Sequence, residues 1–209
     1  MTNELLTRIG DYYSAKLAEH GPSSQGVDWN SPHSQELRFQ QLLRVCDSAG
    51  AFDLNDYGCG YGALADYLLA RHPAAKYTGF DVTPAMVAKA KELHPGSAGP
   101  RFTSDDAELV PANYTVASGI FNVRLDTPRE SWEALVLDTL DRLSALSRRG
   151  FAFNVLTSYS DAHLMRDDLY YADPCLLFDH CKRKYARNVA LLHDYGLWEF
   201  TILVRKELG

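Results

Sequence analysis

Residues 54–64, LNDYGCGYGAL, decide the fold of this chain, because they place three glycines between a short apolar run and an amphipathic segment. Gly58, Gly60 and Gly62 form a GxGxG pattern. Glycine lets a backbone turn tightly and approach a ligand closely. The pattern therefore predicts a ligand-binding turn that joins a β-strand to an α-helix. With Ala63 the same glycines also satisfy GxGxxA, the dinucleotide-binding pattern, so the turn alone leaves the ligand open.

The segments that follow repeat this order of strand and helix. Residues 76–95 favour a second strand and helix, with Pro84 in the first helical turn. The same patterns predict strands at 100–110, 113–123 and 151–160, helices at 131–150 and 175–188, and two last strands that flank 193–200. Gly150 is expected to end the first of those helices. Strands that alternate with helices predict an α/β fold with a mostly parallel sheet, right-handed crossovers and helices on both faces.

Two helical segments precede the predicted sheet, at residues 3–21 and 33–50. A polar loop rich in serine, glycine and proline joins them. We expect residues 1–50 to form a helical cap over the ligand cleft, and residues 51–209 to form the sheet domain.

The composition argues against several classes of function. The 209 residues are 46% hydrophobic and 23% charged, which is ordinary for a globular protein. They show no basic, apolar leader and no membrane-spanning run, so we expect a cytoplasmic protein. The net charge of −6 argues against a nucleic-acid backbone as the main partner. Cys175, His180 and Cys181 fit no common zinc spacing, and we expect no metal site.

Acidic residues follow the first three predicted strands and favour a particular kind of ligand. Asp56 lies two residues before the first glycine, where a carboxylate would repel a pyrophosphate but would suit an ammonium or sulfonium group. Asp81 ends the next strand, where an acidic side chain can accept both ribose hydroxyls. Residues 105–107 end the third strand and can meet an adenine edge. These positions favour an adenosine with a cationic amino-acid tail over a dinucleotide.

With these residues in place, the chain resembles the class I S-adenosylmethionine (SAM) dependent methyltransferases over residues 52–205. The resemblance rests on LNDYGCGYGAL, YTGFDVTPAMV, RFTSDDAELV and YTVASGIFNV, in order and at family-like spacing. It implies a seven-stranded, Rossmann-like sheet with an antiparallel last strand, SAM as cofactor and S-adenosylhomocysteine (SAH) as product. Asn55, where an aliphatic residue is usual, and Tyr61, at a position that is often small, depart from the pattern without removing a needed group. Binding of NAD(P) is the alternative, but such an enzyme would need a second half that this length scarcely provides.

The resemblance assigns cofactor contacts to the motif positions. Asp56 and the glycine turn should hold the methionine portion, Asp81 the ribose, and the residues after the third strand the adenine. The complete set from the motifs is Asp56, Gly58, Cys59, Gly60, Gly62, Asp81, Val82, Met86, Asp105, Asp106, Ala107 and Ser118. From the cap we add Trp29, which offers a stacking face, and Arg38, which offers a fork for the methionine carboxylate.

In this family the last strand inserts between the fifth and the sixth, so the turn at residues 193–196 should lie on the cleft side. His193 is our candidate general base, with Asp194 to orient it, and Tyr195 and Asn122 are further catalytic candidates. Contact with the acceptor without proton transfer, and a turn that only satisfies backbone groups, stay open. The candidates for acceptor binding are Tyr12, Asn122, Asn154, Tyr159, Tyr170, Tyr171 and His193.

The sequence favours direct, in-line methyl transfer to a small molecule, since no large insertion separates the strands. A histidine base favours an oxygen acceptor on a sugar, a natural-product intermediate or another metabolite. We expect the protein itself to be a monomer or a homodimer. N- or carboxyl-methylation and a non-enzymatic SAM-binding module are alternatives. A methyltransferase that acts on RNA or protein is another, and its expected signature is a basic patch of Arg148, Arg149, Lys182, Arg183 and Lys184.

Overall fold

The structure, a computed structural model, describes residues 3–46, 50–96 and 99–206. Six helices and seven strands are described in these ranges. In chain order they are α1 Asn3–His20, α2 Pro32–Leu43, β1 Asp53–Tyr57, α3 Ala63–Arg71, β2 Lys76–Phe80, α4 Pro84–Leu93, β3 Arg101–Thr103, β4 Ala112–Ala117, α5 Arg129–Ala145, β5 Ser147–Leu156, α6 Pro174–Lys184, β6 Asn188–Leu192 and β7 Glu199–Arg205.

The strands form one seven-stranded sheet in the order β3-β2-β1-β4-β5-β7-β6. The contacts among β3, β2, β1, β4 and β5 are parallel, whereas β7 runs antiparallel to both β5 and β6. The predicted fold class is therefore confirmed, including the insertion of an antiparallel last strand. This order places the ends of β1 and β4 side by side, with Asp56 in register with Val116.

Side-chain alternation divides the core between the two faces of the sheet. In β5, Phe151, Phe153 and Val155 face a cluster with α5 and α6, whereas Ala152 faces a cluster with α2, α3 and α4. This period of two is the mark of a strand that is buried on both sides. Each fully buried large apolar side chain contributes about 1.5–3 kcal/mol relative to exposure. The sheet is thus packed against helices on both faces.

The boundary between α5 and β5 differs from the prediction. The helix predicted to run to Gly150 ends at Ala145, and Ser147–Leu156 forms β5. Gly150 lies within this strand, where a Cβ would come within 2.5 Å of the Val204 carbonyl oxygen. The glycine therefore permits close approach of β7 instead of ending a helix.

Two helices lie before the sheet in the chain. α2 begins with Pro32 after Ser31, whose hydroxyl accepts a hydrogen bond from the Ser34 amide at 3.1 Å. This is a favourable helix start, since the serine satisfies an amide that lacks a helical partner. α2 packs against β4, β5, β7 and α3, and α1 packs against α4 and a 3-10 turn at Gln25–Val27. None of the helices in the described residues is long and apolar enough to cross a membrane.

Candidate active site

The glycine turn after β1 has a backbone shape that side chains disfavour. Gly58, Gly60 and Gly62 have φ values of +90°, +54° and +91°. A Cβ on Gly58 would lie 2.2 Å from Cγ2 of Ile120, and one on Gly60 would lie 3.0 Å from Cγ1 of Val27. These positions need glycine for both conformation and space.

The turn forms one wall of a cavity of about 330 Å³ at the carboxyl edge of the sheet. This volume is in the range of small-molecule sites. The lining comprises Leu6, Ile9, Tyr13, Val27, Trp29, Gln35, Phe39, Asp56, Tyr57, Gly58, Cys59, Gly60, Tyr61, Ala63, Leu64, Phe80, Asp81, Val82, Thr83, Met86, Asp106, Ser118, Gly119, Ile120, Phe121, Trp132, Leu135 and Thr139. Among the described residues, this lining has three carboxylates and no lysine, arginine or histidine. It therefore suits a ligand that is neutral or positively charged.

Asp56, at the end of β1, is buried in this wall. One of its oxygens accepts a hydrogen bond of 2.6 Å from the Tyr77 hydroxyl. The other, Oδ1, is buried and has no hydrogen-bond partner among the residues that the structure describes. Burial raises the pKa of Asp56 to about 7, against the opposing effect of the Tyr77 hydrogen bond. Burial deprives Oδ1 of water, and a bound cation would supply the partner that this oxygen lacks.

Asp81 lies just after β2 and accepts two backbone hydrogen bonds. Its oxygens receive the amides of Gly60 and Thr83, each at 2.8 Å. Burial raises the pKa of Asp81, while these two amides favour the ionised form. Each oxygen keeps a second lone pair, so the carboxylate can also accept hydroxyl groups from a ligand.

The third carboxylate, Asp106, forms a 3.0 Å ion pair with Arg142 of α5. Its neighbours are placed differently. Asp105 accepts the Ala107 amide at 2.9 Å, and both residues are exposed and outside the lining. The Ala107 amide, expected at the adenine edge, is therefore engaged in a local turn. Ser118 does line the cavity, and its hydroxyl is buried without a partner in the described structure.

Residues of the N-terminal segment line this cavity. Tyr13 of α1, Gln35 and Phe39 of α2, and Val27 and Trp29 of the intervening loop contribute to the lining. Arg38 is buried but stands outside the lining, because its Nε pairs with Glu199 Oε1 at 2.7 Å. This position differs from the expected contact with a methionine carboxylate. Gly62 also stands outside, as the residue that precedes α3.

His193 and Tyr195 follow β6, on the carboxyl edge of the sheet. His193 is exposed, and its ring centre lies 6.0 Å from that of Tyr159 and 6.1 Å from that of Phe200. The Tyr195 hydroxyl shares a 3.0 Å hydrogen bond with Thr201, and burial raises its pKa. Neither residue lines the cavity, so the turn lies on the predicted side but beyond the cavity wall.

The two asparagines predicted at the site make internal contacts. Asn122 Oδ1 accepts the Leu156 amide at 3.1 Å, and Asn154 Oδ1 accepts the Gly119 amide at 2.7 Å. Both side chains are buried and stand outside the cavity lining. Their positions fix the backbone around the site.

The tyrosines predicted to bind the acceptor are also placed away from the cavity. The Tyr12 hydroxyl donates to Asp28 at 2.8 Å, and the Tyr171 hydroxyl accepts the Arg166 amide at 3.1 Å. Tyr170 is buried, with its hydroxyl 3.4 Å from Glu133, and Tyr159 is exposed. The structure thus brings together most of the predicted cofactor residues and none of the predicted acceptor residues in the cavity wall.

Several wall residues are absent from the sequence prediction. Gln35 and Phe39 come from one face of α2, and Trp132, Leu135 and Thr139 from one face of α5. Helical spacing predicts such faces, but the same spacing is typical of ordinary core packing. The sequence therefore lacked a signal that separates wall from core.

Comparisons with known proteins agree with this geometry. Residues 55–144 match a family described as a methyltransferase domain. A curated protein of Mycobacterium tuberculosis (strain ATCC 25618 / H37Rv), "Putative methyltransferase Rv1506c", is 59% identical over 164 residues, which are 78% of this chain and 99% of that protein.

Solved structures share the fold at low identity. The N-methyltransferase NodS from Bradyrhizobium japonicum WM9, in complex with SAH, has a TM-score of 0.65 at 16% identity over 95% of this chain and 98% of its own. Human N-acetylserotonin methyltransferase, in complex with SAM, has a TM-score of 0.67 at 20% identity over 99% of this chain and 60% of its own. Because the chain is 59% identical to the mycobacterial relative and its sheet has the matching strand order, it belongs to the class I family of SAM-dependent methyltransferases.

Proposed function

We propose that this methyltransferase transfers the methyl group of SAM to an oxygen of a small-molecule acceptor, with the cofactor in the acidic cavity beneath the cap. The observation that carries the cofactor part is the unpartnered oxygen of Asp56 in a wall with three carboxylates and no cationic side chain among the described lining residues. SAM has a cationic sulfur and an ammonium group, and these charges complement that wall.

The residues present fit SAM in further respects. Two buried polar atoms of wall residues lack partners in the described structure: Oδ1 of Asp56 and Oγ of Ser118. Buried polar groups are normally hydrogen-bonded, so these two atoms favour a polar ligand. At Gly58 and Gly60 the absence of a side chain lets Ile120 and Val27 pack directly on the turn. The cavity therefore offers polar partners within a closely packed wall.

Each segment of the wall binds a different part of SAM. Asp56 binds the ammonium group, and Asp81 accepts the ribose hydroxyls. Val82 and Met86 pack beside the adenine, with Asp106 and Ser118 near its polar edge. Trp29 closes the wall above Gly119 and excludes water. When bound, SAM supplies a methyl group that is already activated by its positively charged sulfur.

The surface charges favour a small acceptor over a nucleic acid. In the basic segments, Arg148 pairs with Asp53 at 2.6 Å, Arg183 with Asp179 at 2.6 Å, and Lys184 with Asp141 at 2.8 Å. Lys182 donates to the Arg187 carbonyl. Arginines and lysines that are already paired with carboxylates release fewer counterions from a phosphate backbone. The cap further restricts access to the cavity.

The oxygen preference rests on His193. A neutral imidazole on the carboxyl edge can accept the proton of a hydroxyl acceptor that extends from the cavity to this turn. In this arrangement the exposed aromatic ring of Tyr159 supports the outer part of the acceptor.

An acceptor survey tests the proposal. The protein is incubated with SAM that has a tritiated methyl group, and with the metabolite, RNA and protein fractions of a cell extract. We expect label in the metabolite fraction, in a product whose methyl group survives mild alkali, unlike that of an ester, and has the NMR shift of a methyl ether, unlike that of a methylated nitrogen. The Asp56→Asn variant supplies the background. Label confined to RNA or protein, or to a methylated nitrogen, would overturn the acceptor assignment.

A further inference from the structure

A buried ion pair joins the cap to the last strand of the sheet. Arg38 of α2 and Glu199, the first residue of β7, meet at 2.7 Å, with side chains 8% and 0% exposed. They stand 161 positions apart in the chain. The pair is therefore a tertiary contact between the cap and the carboxyl edge.

The same glutamate connects to the loop after β4. Asn154 of β5 donates to Glu199 Oε1 at 3.0 Å and accepts the Gly119 amide at 2.7 Å. Gly119 has a φ of +71° and lines the cavity. Through Asn154, the position of this cavity-wall residue is tied to Glu199.

Trp29, on the cap side, contacts both Arg38 and Gly119. The Arg38 guanidinium lies 3.8 Å from the centre of the indole ring. A Cβ on Gly119 would come within 2.2 Å of Cη2 of Trp29, so the ring lies directly on this glycine. Trp29, Arg38, Glu199, Asn154 and Gly119 thus form a closed ring of contacts, which we call the closure ring.

A contribution to stability does not by itself account for the closure ring. A buried ion pair loses the hydration of both charges, and apolar side chains of similar volume are often at least as stabilising. Arg38 meets Glu199 through Nε, donates from Nη1 to the Ser34 carbonyl at 2.9 Å, and stacks its planar guanidinium on the indole ring. The arrangement is therefore suited to holding the indole in one place.

We propose that Glu199 is a positioning residue that acts through Arg38 to hold Trp29 on Gly119, and so keeps the cap closed over the cofactor. The inference rests on the proposed SAM site, because Trp29 and Gly119 belong to its wall. It extends that site to a glutamate outside the cavity lining. Closure contributes to cofactor affinity because an open cap lowers the fraction of molecules that can bind.

The test uses Glu199→Gln, which keeps the size of the side chain and an oxygen for Asn154 but removes the charge. SAH affinity is measured by calorimetry. In parallel, 5-fluorotryptophan is incorporated at the three tryptophans, Trp29, Trp132 and Trp198, and fluorine NMR follows their environments. Trp29→Phe serves only to assign the Trp29 signal.

If the variant reduces the closed fraction to about a tenth, the Kd of SAH rises about tenfold. The Trp29 signal should move, and a cooperative thermal unfolding transition like that of the parent shows that the core is intact. The matched control, Asp141→Asn, removes the exposed pair with Lys184 and should change neither reading.

Unchanged SAH affinity and an unchanged Trp29 signal in folded Glu199→Gln would overturn the inference and leave the pair a stabilising role. If that variant does not fold, Arg38→Lys takes its place, since lysine keeps the charge but lacks the planar face that stacks on Trp29. An SAH affinity equal to that of the parent would then overturn it. Failure of the parent protein to bind SAH would contradict the cofactor site itself, so the two failures are distinguishable.

Discussion

The hydroxyl of Tyr77 donates a 2.6 Å hydrogen bond to one carboxylate oxygen of Asp56 and leaves the other oxygen buried at the cavity wall with no partner in the described parts of the chain. Tyr77 lies in β2, and Asp56 in the adjacent strand β1. This hydrogen bond fixes the orientation of the Asp56 carboxylate. Asp56 is thereby held in the cavity wall with one buried oxygen that lacks a hydrogen-bond partner in the described residues.

Asp56→Asn should weaken SAH binding about 100-fold, because truncating one partner of a buried charge pair costs roughly 2–5 kcal/mol. Calorimetry at about pH 8 measures the change. Tyr77→Phe retains the carboxylate and should cost less than about tenfold, the scale of one neutral hydrogen bond. Equal SAH affinity in Asp56→Asn and the parent would contradict the role of this carboxylate.

The pH dependence of binding should follow the same residue. Burial raises the pKa of Asp56 to about 7, with the Asp81 charge as a further, smaller cause. Below this pH free Asp56 is protonated, and a bound cation must displace that proton. We therefore expect the SAH Kd at about pH 6 to be roughly tenfold higher than at about pH 8. The increase should be absent in Asp56→Asn, and a slope that persists in this variant would assign the titration to another group.

The stability of the ligand-free protein should change in the opposite direction. The pKa of Asp56 is higher in the folded state than its ordinary value of 3.8. Its contribution to stability is therefore present at low pH and is lost as the pH rises through about 7. Urea unfolding at several pH values, compared between the parent and Asp56→Asn, isolates this contribution. A difference between the two that does not change from pH 5 to about pH 8 would refute it.

Gly60→Ala should affect binding as well as stability. At a φ of +54°, alanine costs about 1–2 kcal/mol, and its Cβ would approach Val27 to 3.0 Å. Gly196→Ala is a matched control, since its φ is +74° but no atom lies within 4 Å of the added Cβ. Thermal unfolding should show a loss for both variants, larger for Gly60→Ala because its Cβ also meets Val27, whereas calorimetry should show weaker SAH binding for Gly60→Ala alone. Parent-like SAH binding by Gly60→Ala would argue against close ligand approach at the turn.

His193→Ala separates chemistry from cofactor binding. The exposed ring lies outside the cavity wall, so SAH affinity should stay within about twofold of the parent. If His193 takes the acceptor proton, methyl transfer should fall by roughly 10²–10⁴-fold. The rate is measured with the acceptor that the survey identifies. Parent-like turnover would remove His193 from the reaction.

The sheet and most of the cofactor wall could be predicted because their signals are local. The glycines of the turn and the acids at the ends of β1 and β2 lie where the fold itself brings them to one edge. Asp56, Asp81 and Ser118 accordingly lie in the cavity wall. The end of α5 was missed because Gly150 indicates a helix stop as readily as a close strand contact.

The cap contacts could not be predicted for a different reason. Arg38 offers a fork to any carboxylate, and its partner Glu199 stands 161 residues later. The partner is decided by how α2 packs against β7, which the apolar spacing of either segment does not specify. Asn122 and Asn154 likewise follow strands as binding residues do, but neighbouring backbone amides use their oxygens.

The central claim, a SAM site in the acidic cavity, is tested most directly by calorimetric titration of the parent protein with SAH, SAM and NAD under identical conditions. The account predicts saturable binding of one SAH or SAM per chain, and no binding of NAD. Binding of NAD with no heat from either adenosyl ligand would contradict it.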